Sequence, residues 1–397
     1  MIYFIFSPFC RRDYDRFGID IVKKSGFKVE IWDLTPILAE EVYKITKVPD
    51  PIDYKSSNCK LFLSKADFHR EVRKISRDSL IITMFGIDYK TYFLFKELSR
   101  LGILYVLFHA NTIPLYRSTK SSYSTGYKNR LVLLFNKIKA INISKFRKVI
   151  FESISKHLLK IQPPAFILAG GSQAIVNYKP PIGKNTKIIW AHTLDYDLYL
   201  SDLNKESAGE FGDKKYAVFI DGYQPFHPDY VRMNVKPPVA PENYYPALCN
   251  FFSDVEGETG LEVIIAAHPR SNYDEHPDYF RGRKTIRGKT MELIRDSKLV
   301  LMHYSTSVNF AVLYNKPVIF FTTNEMEKFS MDANYIRAYS SELDKSFINI
   351  SRSYKVNWER ELKIDPKVYN CYKERYIKRK NTEDKFFWQI VADEIKK

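Results

Sequence analysis

Cysteine is scarce in this 397-residue chain: Cys10, Cys59, Cys249 and Cys371 are the four, far apart and without the paired spacing of a metal site. Neither a disulfide scaffold nor a zinc module follows from them. Scattered thiols of this kind suit a reduced, cytoplasmic protein. Long apolar runs are also missing: none approaches the roughly 18 residues that a membrane-spanning helix needs. The apolar start, Met1 to Phe9, is short and has no basic leader, and Arg11, Arg12 and Asp13 follow at once. It is expected to be a first strand rather than a signal peptide. The full glycine spacing of a dinucleotide site or a P-loop does not occur, so no cofactor is expected. Helix-turn-helix, RNA-binding and zinc-spacing cues are absent too, which ranks nucleic acid low among partners.

Acid is scarce in one place. Glu152 is the only acidic residue between Arg117 and Lys160, and that stretch carries a large share of the net charge of +16. Such an excess favours an anionic partner. Apolar residues such as Ile138, Ile141, Phe146, Val149 and Ile150 are mixed into it. Two readings stay open: a basic amphipathic stretch on an anionic membrane surface, or ordinary helices with a solvated basic face.

What is present is an α/β pattern. The length suffices for two or three domains. Residues 1–33 read as strand, helix, strand, and 80–85, 103–108, 165–169 and 187–191 as further strands. Residues 217–220, 261–267, 298–302 and 316–321 read as the strands of a second half, with helical stretches between them. That alternation implies parallel sheets. The charged stretch 201–215 reads as a linker. The expected organisation is two Rossmann-like domains whose parallel sheets face a cleft. They span 1–210 and 211–380, and a C-terminal helix lies in 381–397.

In open parallel sheets, ligands bind outside the carboxyl ends of the strands. The run 261–267 ends on His268-Pro269-Arg270, and the run 298–302 leads into His303-Tyr304-Ser305-Thr306-Ser307. Both deliver polar residues to one edge. A Ser/Thr cluster at a helix start can cap the helix and contact an anion. A histidine beside that anion can donate a hydrogen bond or a proton. Singly, the cluster is an N-cap and His-Pro is a turn; together they make a nucleotide-phosphate site. Lys289, which opens the helical stretch 288–297, joins this set. Gly170-Gly171-Ser172 lets a backbone come close to a ligand or a neighbouring element. With His192, Asp195 and Asp197, Gly171 and Ser172 form the candidate acceptor side. His109 and the second His-Pro, His227-Pro228, are weaker candidates, and the Ser7 to Arg12 turn is expected to be a plain loop.

The His-Pro and the later Ser/Thr cluster resemble the bacterial sialyltransferases of the two-domain glycosyltransferase-B (GT-B) fold. Capsule enzymes that transfer Kdo or other nonulosonic acids from CMP are similar. Those families carry an acidic residue followed by glycine at an upstream strand end. Asp221-Gly222, after Tyr216 to Ile220, is similar, with Ile220 where the family often has a second acid. The resemblance covers roughly residues 216–321. It implies Asp221 as general base and His268 as phosphate contact or acid. It also implies Ser305, Thr306 and Ser307 as the phosphate site and a C-terminal helix that crosses back to the first domain. Gly222, Pro269 and Arg270 complete the candidate nucleotide site, with Arg270 either a phosphate contact or a surface ion pair. Asp195-Tyr196-Asp197 matches the metal pattern of the other great glycosyltransferase fold. Hard cations usually need more oxygen ligands than this, so no metal is expected; an acceptor-side or general-base role for Asp195 or Asp197 is the alternative to Asp221 as base.

The expected activity is metal-independent transfer of an acidic sugar from a CMP donor to a glycan or lipid-linked glycan in bacterial surface polysaccharide synthesis. The expected place is the cytoplasm, with 117–160 as a candidate contact to the inner membrane. The alternatives are a UDP-sugar, GDP-sugar or glycerophosphate donor on the same fold, a nucleotide-sugar epimerase, and a non-enzymatic protein that binds anionic membrane or nucleic acid.

Overall fold

A computed structural model of the chain describes residues 1–45, 50–116, 151, 160–176, 182–203, 215–233 and 235–397. Most of the basic 117–160 stretch and of the 201–215 linker lies outside the described residues. Among the described residues, the strands form two parallel sheets of seven and six strands. The first holds β1 (Ile2–Ile5), β2 (Glu30–Asp33), β3 (Cys59–Leu61), β4 (Leu80–Thr83), β5 (Leu104–His109), β6 (Phe166–Ala169) and β7 (Lys187–Trp190), in the order β3-β2-β1-β4-β5-β6-β7. The second holds β8 (Tyr216–Ile220), β9 (Glu262–Ala267), β10 (Thr285–Arg287), β11 (Leu299–Met302), β12 (Val318–Thr322) and β13 (Phe347–Asn349), in the order β10-β9-β8-β11-β12-β13. Both orders reverse beside their first strand. That reversal opens a crevice at the carboxyl ends, between β1 and β4 in one sheet and between β8 and β11 in the other.

The central strands are buried on both faces, as parallel sheets require. Every residue of β1, β8, β11 and β12 is buried. In the second sheet Val218, Ile264, Val300 and Val318 pack on one side with Leu293 and Phe310. Phe219, Val263, Leu301 and Ile319 pack on the other with Phe251 and Phe252.

The C-terminal helix Phe387–Lys396 belongs to the core of the first sheet. Phe387, Trp388, Ile390 and Val391 pack with Tyr3, Phe17, Ile19 and Val22. Trp388 meets Tyr3 edge-on at 5.2 Å and donates from its indole to the Arg16 carbonyl at 3.0 Å. Gly18 has φ +57°, and a side chain there would overlap the Trp388 ring.

Gly171, Ser172, His192, Asp195 and Asp197, the expected acceptor side, all join parts of the chain to each other. The backbone of Lys373–Ile377 lies so close to Gly171 that a Cβ would strike the Arg375 carbonyl. The Ser172 N–H donates to the Glu374 carbonyl at 2.9 Å. His192 is fully buried, with Nδ1 2.9 Å from the Thr193 carbonyl and Nε2 2.8 Å from the Lys385 carbonyl. Asp195 pairs with Arg16 at 3.0 Å and accepts from Asn309 Nδ2 at 3.0 Å, so it links the first domain to the second. Asp197 accepts the Phe387 N–H at 2.7 Å, and burial lifts its pKa to about 7. The two aspartates thus serve different partners rather than one cation.

Trp388→Ala should cost about 3–5 kcal/mol, the usual loss for truncating a buried aromatic, read by urea denaturation. A loss below about 1 kcal/mol, within the range of ordinary surface changes, would make the helix an appendage rather than core.

Candidate functional site

The candidate residues stand along the carboxyl edge of the second sheet in strand order. Lys289 follows β10, His268-Pro269-Arg270 follows β9, Asp221-Gly222 follows β8, and Ser305-Thr306-Ser307 follows β11. His268 and Asp221 are therefore on neighbouring strands, and the Ser/Thr turn flanks Asp221 on its other side. Lys289 lies one strand beyond His268, on the rim of the sheet.

Asp221 is 4% exposed. Its Oδ1 accepts the Tyr223 N–H at 2.8 Å; its Oδ2 accepts the His268 N–H at 3.2 Å and the Tyr273 hydroxyl at 2.8 Å. Burial raises its pKa to about 6, against the opposing pull of those three donors. Such a pKa would suit a base, but a carboxylate enclosed by three donors presents almost no surface to an acceptor hydroxyl. These bonds give Asp221 a positioning role beside the expected one as base. It stitches the turn after β8 to the turn after β9.

The turn itself is tight. A Cβ on Gly222 would stand 3.1 Å from Gln224 Nε2. Tyr223 has φ +51°, a conformation that costs a non-glycine residue about 1 kcal/mol or more. It brings the Tyr223 ring parallel to His268, 9° apart in plane and 6.1 Å between centroids.

His268 Nδ1 accepts the Arg270 N–H at 3.2 Å, so the neutral ring carries its proton on Nε2. Burial lowers its pKa to about 3, helped by the positive charge of His227, Arg270 and Arg12. A ring that stays neutral at physiological pH suits hydrogen-bond donation, not the proton donation that was the other expected role.

Two residues that the sequence pattern ranked low belong here. The ring of His227 stands 4.9 Å from that of His268, at 65°. Arg12, on the helix Arg11–Arg16 that follows β1, pairs with Asp13 at 3.4 Å, and its charge is the last of the causes that lower the His268 pKa. The available signals were the second His-Pro and the position of the turn at a strand's carboxyl end.

The Ser/Thr turn is also less than an open helix terminus. The helix Val308–Leu313 has six residues. The N–H groups of Val308, Asn309 and Phe310 donate to the carbonyls of Ser305, Thr306 and Ser307 at 3.2, 3.0 and 3.0 Å, and the Ser307 N–H donates to Ser305 Oγ at 3.1 Å. These donors are used within the turn. What faces outward is hydroxyl: Thr306 is exposed, Ser305 and Ser307 half-buried. The preceding His303 is a core residue, bonded to the Tyr244 hydroxyl and the Phe321 carbonyl at 2.8 Å each.

The chain matches no protein-family model and no curated protein. Among solved structures it is similar to the calicheamicin glycosyltransferase CalG4, at 12% identity and a TM-score of 0.51, over 100% of this chain and 97% of that one. It is similar to the wall teichoic acid polymerase TagF at 12% identity and a TM-score of 0.51, over 100% of this chain and 88% of that one. The chain has the GT-B fold. A further match is the UDP-GlcNAc 2-epimerase of Methanocaldococcus jannaschii, at 14% identity and a TM-score of 0.48, over 100% of this chain and 99% of that one. In GT-B terms His268, Asp221 and the Ser/Thr turn lie on the second domain's side of the cleft, and Arg12 on the first domain's. Among the described residues no helix is long and apolar enough to cross a membrane.

His268 titrates far below 6.5, its ordinary value, once folded. Its neutral form therefore contributes stability fully above pH 6.5, and the contribution is lost as pH falls toward 3. His268→Asn retains an acceptor for the Arg270 N–H and removes the titrating ring. Its melting temperature should fall less than that of the parent between pH 6.5 and 4. Equal acid sensitivity of the two would show that His268 titrates normally.

Proposed function

We propose that the chain is a glycosyltransferase that holds a nucleotide-activated donor at the carboxyl edge of the second sheet. The observation that supports this reading is the gathering of His268, Arg270 and the Ser305, Thr306 and Ser307 hydroxyls at one switch point, opposite Arg12, in a GT-B frame. The donor's phosphate would sit against the Nε2–H of His268 and the hydroxyl turn. As the acceptor oxygen attacks, the bond between the sugar carbon and the phosphate oxygen breaks, and the acceptor's proton leaves with the departing phosphate. Negative charge then builds on the phosphate, where these fixed donors stabilise it. Asp221 keeps His268 in place during this step by holding its backbone N–H.

Donor chemistry is the finer question. The motif resemblance favours a CMP-linked acidic sugar. A UDP-sugar, a GDP-sugar or a glycerophosphate donor fits the same frame, and TagF, a wall teichoic acid polymerase, shares the fold. The net charge of +16 favours an acidic donor or acceptor, such as a charged glycan or lipid-linked glycan. An anionic membrane contact through 117–160 remains part of this proposal.

Melting temperatures with CMP, CDP, UDP, GDP and ADP test it. A nucleotide at about a hundred times its dissociation constant adds about 2.7 kcal/mol. Stabilisation selective for CMP supports the acidic-sugar donor; selectivity for CDP, UDP or GDP moves the donor class within the proposal. With the matching donor, His268→Asn should lower transfer about 100-fold or more, the usual loss of one charge-stabilising donor. Donor conversion with no acceptor present would favour an epimerase. No response to any nucleotide would sink the proposal.

A further inference from the structure

A second buried carboxylate stands behind the hydroxyl turn. Asp332, on the helix Ser330–Glu342, is fully buried. Its Oδ1 accepts the Tyr304 hydroxyl at 2.7 Å. Its Oδ2 lies 3.3 Å from the Tyr230 hydroxyl, which in turn lies 2.5 Å from Gln224 Oε1. Gln224 and Tyr230 are buried as well. The four residues come from four segments: the turn after β8, the helix Pro228–Met233, the turn after β11 and the helix Ser330–Glu342. Tyr304 directly precedes Ser305, so its hydroxyl anchors the start of the Ser305–Ser307 turn. Gln224 directly follows Tyr223, whose ring lies parallel to His268. Both tyrosine rings are also held by neighbours. Tyr304 packs on Tyr335 at 5.2 Å, and Tyr230 meets Phe329 edge-on at 6.0 Å. Burial raises the Asp332 pKa to about 6, against the opposing pull of the Tyr304 and Tyr230 hydroxyls. Packing alone would be served as well by an apolar side chain of like volume, without the cost of a buried charge. What the carboxylate adds is direction, because each of its oxygens holds a different segment.

We propose that Asp332 is a positioning residue for the Ser305, Thr306 and Ser307 hydroxyls, acting through the hydroxyl of Tyr304. This rests on the glycosyltransferase reading and deepens it. Two carboxylates then divide the edge of the second sheet. Asp221 joins the turn after β8 to the turn after β9, and Asp332 joins the turn after β8 to the turn after β11. Hydroxyl groups stabilise developing charge well only when their backbone is fixed before the reaction begins. A turn released from Asp332 would still meet the donor, but with its hydroxyls out of place as charge builds on the phosphate. The loss should therefore fall on kcat more than on KM.

Amide hydrogen exchange of the full chain tests the positioning without any donor. Tyr304→Phe keeps the ring on Tyr335 and removes the bond to Asp332. It should speed exchange at the Ser307, Val308 and Asn309 amides about tenfold, as loss of a hydrogen bond to a charged group does. The Ser271 amide, in the turn after β9, should keep its parent rate; a merely structural role would loosen both turns. Asp332→Leu should act on the same amides, and Asp332→Asn, which keeps an acceptor for Tyr304, should act less. With the matching donor, Tyr304→Phe should lower kcat about tenfold or more, as misplaced groups do, and change KM less. Parent exchange rates at the turn in Tyr304→Phe, or a loosened turn with parent kcat, overturn the proposal. If a nucleotide stabilises the parent while the turn exchanges as before in Tyr304→Phe, the positioning role fails and the transferase reading stands. If the turn alone loosens yet no nucleotide stabilises the parent, Asp332 holds the turn and the transferase reading fails.

Discussion

One buried carboxylate organises the edge on which the candidate site is built. Asp221 sits where β8 ends and receives hydrogen bonds from the Tyr223 backbone, the His268 backbone and the Tyr273 hydroxyl. Burial makes its charge expensive, so its pKa rises to about 6, and three donors reduce that cost. The same bonds pin two consecutive turns to each other. The His268 ring, with Nδ1 committed to its own turn, is thereby presented as a neutral donor. The positive-φ backbone at Tyr223 is held by this network, and it places an aromatic ring against His268. Loss of the carboxylate would release both turns at once.

A second set of contacts decides how the two sheets meet. The helix Leu194–Leu203 leaves the first sheet and is gripped by the second domain. Asp195 accepts from Asn309 while paired with Arg16, and Asp202 binds Arg295 and Tyr314 at 2.5 Å each. The chain then returns, and its last helix is packed beneath β1 through Trp388. His192 and Asp197 hold that return by bonding to the backbone of Lys385 and Phe387. Polar residues just after β7 thus support the domain junction. A histidine and two aspartates close together in sequence look like chemistry, but each is spent on a different backbone or ionic partner.

The fold was largely legible. Strands such as 217–220, 261–267 and 298–302 are apolar, β-branched runs because parallel strands are buried on both faces. The three-residue strands β3, β10 and β13 left no such mark, since they lie at sheet edges and none of their residues is fully buried. In the site, His268-Pro269 and Ser305-Thr306-Ser307 were legible because a strand end hands its next residues to the ligand edge. His227 was underrated because its loop does not follow a strand directly. Asp221 was legible as a strand-end acid, but its hydrogen-bond partners were not. Whether a carboxylate faces solvent or three donors depends on Tyr273 and His268, both far along the chain.

The sequence by itself determined the class of the protein. Short apolar runs separated by helical stretches can bury their two faces only in parallel sheets covered by helices, and the polar residues that follow each run must then fall on one edge. Those consequences are local, and any fold with this pattern shares them. Tertiary structure alone decided which polar residues act together. The two His-Pro turns and the carboxylate beside His268 come together only when β8 and β9 lie side by side. Hydrogen-bond partners, burial and electrostatic neighbours are set by that packing, and they convert the same residue types into linkers, positioning groups or ligands.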